Sequence, residues 1–60
     1  MIQLTLFNNA KAYFIKSTIT MICENKHSDK VRGAEVWTNG ASDCFVVQES
    51  IDVVFKKMMD

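Results

Sequence analysis

The sequence predicts a small α+β domain, with a strongly curved, barrel-like antiparallel sheet of five strands followed by one C-terminal helix. Three observations predict it. Short segments alternate apolar and polar residues, Asn, Ser and Gly separate them, and at Ser50 the apolar period changes from two to that of a helix. Sixty residues make one domain, residues 1–60, and a small one, because a chain of this length buries only about 60% of its unfolded surface.

The first strand is read from Ile2, Leu4 and Leu6, which point one way while Gln3 and Thr5 point the other. Asn8-Asn9 ends it, since Asn tolerates left-handed backbone and favours turns. Ala12 to Ile15 forms the second strand, antiparallel to the first. Ser17-Thr18 start a tight turn through their hydroxyls. Thr20 to Cys23, rich in β-formers, is the third strand. The polar stretch from Glu24 to Lys30 is expected as a solvated loop. Val31 to Thr38 makes the fourth strand and Cys44 to Val47 the fifth, with the hairpin signal Asn39-Gly40 between them.

The register of that hairpin follows from polarity. A two-residue turn at Asn39-Gly40 would set Val36 opposite Asp43 and mix polarities on both faces. A four-residue loop, Asn39 to Ser42, sets Val36 opposite Phe45 and Ala34 opposite Val47, giving one apolar face. The other face then carries Glu35, Trp37, Cys44 and Gln48, and Trp37 is its outlier.

From Ser50 the stripe Ile51, Val54, Phe55 and Met58 falls at i, i+3, i+4 and i+7. Ser50 suits the N-cap, Asp52 the first turn and Lys56-Lys57 the last. A helix this short is marginal alone and survives by docking on the sheet. Phe55 is expected as its main anchor, with Ile51 and Val54 beside it and Met58 in the core.

Seven basic and seven acidic residues cancel, which argues against a general binder of nucleic acid or anionic membrane. No apolar run approaches the ~18 residues of a membrane span, and the opening Met1-Ile2-Gln3 lacks the basic region of a signal peptide. Two cysteines are too few for a disulfide scaffold, so the expected location is cytoplasmic, with Cys23 and Cys44 reduced.

Candidate chemistry is sparse. Cys23, His27, Asp43 and Cys44 are the residues from which a zinc site would be assembled, but structural zinc uses paired short spacings such as C-x₂-C. The expectation is two buried thiols, no metal and no cofactor. His27 sits among charges without an orienting partner for base catalysis, and two glycines cannot build a phosphate-cradling loop. No catalytic residue is assigned. Trp37 and Tyr13 are the candidate partner-binding residues, Tyr13 provided that it faces the same way. The expected function is a non-enzymatic interaction module, acting as a homo-oligomer or by docking on a larger protein. The rival is a nucleic-acid-binding regulator that uses the curved sheet and the loop 24–32, where Lys26, Lys30 and Arg32 cluster.

Thr38-Asn39-Gly40, Phe45, Val47, Glu49-Ser50-Ile51 and Val54, with the opening Met1 to Thr5, resemble the FlbD/SwrD family of small flagellar proteins. The chain departs from that pattern at Asn8-Asn9-Ala10, where the family has a glycine turn, and after Gly40, where its loop is longer. The resemblance implies a role in bacterial motility and no catalytic residues. Six lysines against one arginine, with frequent Asn, Ile and Met, equally suit an AT-rich bacteriophage gene for an accessory protein.

Overall fold

A computed structural model describes the backbone of residues 1–60 and every side chain except that of His27. Its elements run β1 (Ile2–Thr5), β2 (Lys11–Phe14), a 3₁₀ turn (Lys16–Thr18), β3 (Ile19–His27), β4 (Lys30–Thr38), β5 (Phe45–Val47) and α1 (Ile51–Met59).

Alternation in β1 buries Ile2 and Leu4. These face Phe14 and Ala12 of β2 in an antiparallel pair. The turn between them works as Asn chemistry predicts. Asn9 adopts φ 69° and donates its amide to the Leu6 carbonyl at 2.9 Å, while the Asn8 side chain accepts from the Ala10 amide at 2.9 Å. At the next turn the Thr18 amide and hydroxyl both donate to the Ile15 carbonyl, at 3.0 and 2.7 Å.

β3 and β4 form the long hairpin of the molecule. Here the expected solvated loop from Glu24 to Lys30 is replaced by strand as far as His27 and a tight turn at Ser28-Asp29. Both turn residues have positive φ, 52° and 66°, the signature of a type I′ turn whose twist matches the flanking strands. The hairpin tip lies beyond the core, with Glu24, Lys26 and Lys30 exposed, so it needs no apolar alternation to be a strand. Register slips twice along it, between Ile19 and Met21 and between Glu24 and Lys26. At the second slip Asn25 of β3 faces two residues of β4, Arg32 and Gly33, and its amide donates to the Arg32 carbonyl at 3.0 Å.

β5 pairs with β4 in the register that the four-residue loop demands: Ala34 opposite Val47 and Val36 opposite Phe45. Cys44 lies just before β5 rather than within it. Beyond Val47 the chain reaches across to β1, through an isolated bridge Leu6–Val47 and a 2.7 Å bond from the Gln48 amide to the Thr5 carbonyl.

The expected five-stranded barrel does not form. There are two antiparallel sheets, β1-β2 and β3-β4-β5, meeting at that bridge. The reason is length, because Ser50 caps the helix only three residues after Val47 and leaves β5 no chain to extend along β1.

Helix α1 begins as expected, with the Ser50 hydroxyl accepting from the Val53 amide at 3.4 Å. Its buried residue is Val54, flanked by half-buried Ile51 and Met58. Phe55, expected as the anchor, is instead 58% exposed. A nine-residue helix across so small a sheet buries a narrow seam at i, i+3 and i+7, and i+4 falls on its rim. Met59 is exposed as well, while Lys57 donates to the Gln3 carbonyl at 2.7 Å and Lys16 to that of Asp60. The core thus comprises Ile2, Leu4, Phe14, Ala34, Val36, Val47 and Val54, drawn from both sheets and the helix.

Gly33 is the tightest point of this arrangement. Its φ is 77°, and a Cβ there would stand 1.9 Å from the Val47 carbonyl oxygen. Gly40 has φ 84° with nothing within 4 Å of such a Cβ. Gly40→Ala is expected to cost about 1–2 kcal/mol, the left-handed penalty alone. Gly33→Ala is expected to cost on the order of 4 kcal/mol, enough to unfold a domain of this size. Thermal melting of the two variants checks the difference, and equal melting temperatures would contradict it.

Candidate interaction surface

The pairing of β3 with β4 sets Met21 opposite Trp37 and Cys23 opposite Glu35, on the face turned away from Val36 and Ala34. Trp37 therefore occupies the outer face, where sequence reasoning puts it, but it is half-buried rather than fully exposed. Its indole Nε1 is buried and finds no acceptor among the described residues. An N–H left in that state costs about 1–3 kcal/mol, so packing of the ring must offset it.

Tyr13 is 62% exposed in β2, in the other sheet. It lines an open groove of about 380 Å³ with Leu6, Ala12, Phe14, Ile15 and Phe45, which Trp37 does not join. Phe45, itself half-exposed, meets Phe14 edge to face at 5.5 Å between ring centroids. The structure does not bring Tyr13 and Trp37 together as one patch.

A second groove, about 220 Å³, runs between β3 and the helix. Its lining is Ile19, Thr20, Met21, Ile22, Phe55 and Met58, almost entirely apolar. Met21 and Phe55 are the interface candidates that sequence reasoning missed. The signal that finds them is the position of β3 at the end of its sheet, which depends on strand order and not on local pattern.

Among the described residues no group of three or more His, Cys, Asp or Glu side chains could hold a metal ion. Cys23 and Cys44 are free and half-buried, not buried as expected. Partial burial, and then the negative charges of Glu35 and Asp43, raise the Cys44 thiol above its ordinary range. That is the opposite of what activates a nucleophile. Among the described residues no helix is long and apolar enough to cross a membrane.

The best-organised polar group is structural. Glu49 accepts from the Thr5 amide at 2.9 Å and the Thr5 hydroxyl at 3.0 Å. Burial alone would raise its carboxyl, but the Thr5 amide, its own amide, the Thr5 hydroxyl and the nearby Lys57 charge together hold it below the ordinary 4.5. Comparison with protein-family models, with curated proteins and with solved structures finds no match.

A carboxylate whose folded pKa is depressed contributes stability above its unfolded pKa and loses it as pH falls through the folded value. Glu49→Gln is therefore expected to lower the melting temperature most near neutral pH. The gap from the parent should narrow as pH falls below 4.5. A gap independent of pH would show that the carboxylate charge contributes nothing to the clamp.

Proposed function

We propose that this protein is a small non-enzymatic interaction module, a bacterial or bacteriophage accessory protein that acts as a homo-oligomer or by docking on a larger protein. One observation carries the reading: large apolar side chains that a chain this small would otherwise use as core stand exposed, among them Tyr13, Ile15, Met21, Phe45 and Phe55. These five line two open grooves, Tyr13, Ile15 and Phe45 the one, Met21 and Phe55 the other. Grouped apolar exposure of this kind marks contact surfaces, and association is a common route by which small domains gain buried area.

Trp37 and Tyr13 are assigned as contact residues on separate faces, Trp37 supporting Met21 from the neighbouring strand. The resemblance to small flagellar proteins supports a motility complex as the setting, and composition supports a bacteriophage assembly equally. The nucleic-acid reading is weaker, because Glu24 and Asp29 lie on the same hairpin as Lys26, Lys30 and Arg32 and offset their field.

Solution mass over a concentration series, with affinity capture from a bacterial lysate, tests the reading. Trp37→Ala is expected to weaken the contact by about 2 kcal/mol, roughly thirtyfold. Tyr13→Ala should weaken it while leaving the melting temperature unchanged. A strict monomer that captures no protein, or one that retains single-stranded DNA in a salt-sensitive way, would defeat the proposal.

A further inference from the structure

We infer that the docking site is the free edge of β3, and that its occupant is β3 of a second copy, added as an antiparallel strand about a two-fold axis at Ile22. This rests on the interaction reading and names its partner.

The argument begins with backbone groups. β3 hydrogen-bonds to β4 on one side and ends its sheet on the other. Among the described residues no backbone bond leaves that outer side. A strand so placed offers a row of unpaired N–H and C=O groups, for which the complementary ligand is another extended chain. Protected edges carry charge, proline or irregularity. From Ser17 to Cys23 this chain has no charge and no proline, and the irregularities of β3 stand on either side of Met21 to Glu24.

The irregularities of β3 fix where a partner can pair. Register slips between Ile19 and Met21, and again between Glu24 and Lys26, so the regular edge is Met21 to Glu24. Residues directly opposite in an antiparallel pair share a face, which restricts a two-fold axis to a residue position. With the axis at Ile22, Ile22 meets its own copy and Met21 meets Cys23, while Glu24 falls at the end of the pairing, opposite the bulge at Thr20. The Thr20 hydroxyl already donates to the Trp37 carbonyl at 3.3 Å, so the exposed Glu24 carboxylate stays in solvent at the margin of the pairing. Moving the axis to Cys23 sets Glu24 against Ile22, and moving it to Glu24 sets the carboxylate against itself. Ile22 is therefore the axis that pairs the uncharged residues of the regular edge with one another and keeps the carboxylate at its margin.

The walls agree with this occupant. Phe55 and Met58 rise beside the edge on the helix side, and Trp37 stands behind Met21 on the outer side. Apart from the Thr20 hydroxyl the groove is hydrocarbon and thioether, as are Met21 and Ile22, the residues that a second β3 would bring to it. The opposite free edge, β2, is only four residues long and opens with Lys11.

The test is sedimentation of the full chain across micromolar to millimolar concentration, beside Met21→Lys and Phe55→Glu. Both side chains are about half exposed or more, 48% and 58%, and neither belongs to the core. The expected result is a reversible dimer whose dissociation constant rises at least tenfold in each variant, with unchanged circular dichroism. Should Met21→Lys fail to fold, Phe55→Glu decides. A dimer indifferent to the variants would place the contact elsewhere, overturning this inference while the interaction reading stands. A monomer that captures a different protein through this edge would overturn the second copy as occupant. A monomer that captures nothing would overturn both.

Discussion

Everything in this fold depends on the extended passage of Val47, Gln48 and Glu49 between the two sheets. On one side Val47 pairs with Ala34, and its carbonyl presses against Gly33 so closely that no side chain fits there. On the other, Val47 bridges Leu6, the Gln48 amide reaches the Thr5 carbonyl, and Glu49 grips Thr5 through its amide and hydroxyl. The Gln48 side chain adds a 2.7 Å bond to the Leu6 carbonyl. Ser50 then caps the helix that lowers Val54 onto the core. Leu4, Ala34, Val36, Val47 and Val54 are fully buried because these three residues draw their elements onto one centre.

What was legible in the sequence is what local chemistry decides. Alternation at Ile2 and Leu4, left-handed tolerance at Asn9, the cap at Ser50 and the polarity of the β4–β5 register each act over a few residues, and each appears in the fold. Decisions made by distant parts of the chain were not legible. Residues 24–30 look like loop because both faces are polar, and only the pairing of β3 with β4 makes strand of all but the Ser28-Asp29 turn. Phe55 belongs to the apolar arc of α1, but the neighbouring sheet is too narrow to cover the whole arc. Closure of the barrel, read from strand number, fails because only two residues lie between Val47 and the cap.

The candidate surface divides in the same way. Trp37 was placed on the correct face by register alone, whereas its half-burial and the separation of Tyr13 into the other sheet required the fold. Met21 is unremarkable as a strand residue until β3 is found at the end of a sheet. The thin core and the exposed grooves then have one origin: a short chain folded around a single crossing segment leaves apolar residues at its margins. Those margins are where the proposed partner strand would dock.

Hydrogen exchange of the backbone amides tests the crossing segment most directly. If Val47–Glu49 holds the sheets together, the Gln48 and Thr5 amides exchange only when the whole domain opens. Their opening free energies should equal those of the most protected amides of β4. If the Gln48 and Thr5 amides exchange orders of magnitude faster while β3 and β4 stay protected, the two sheets open independently. The crossing segment would then be a consequence of the fold and not its cause.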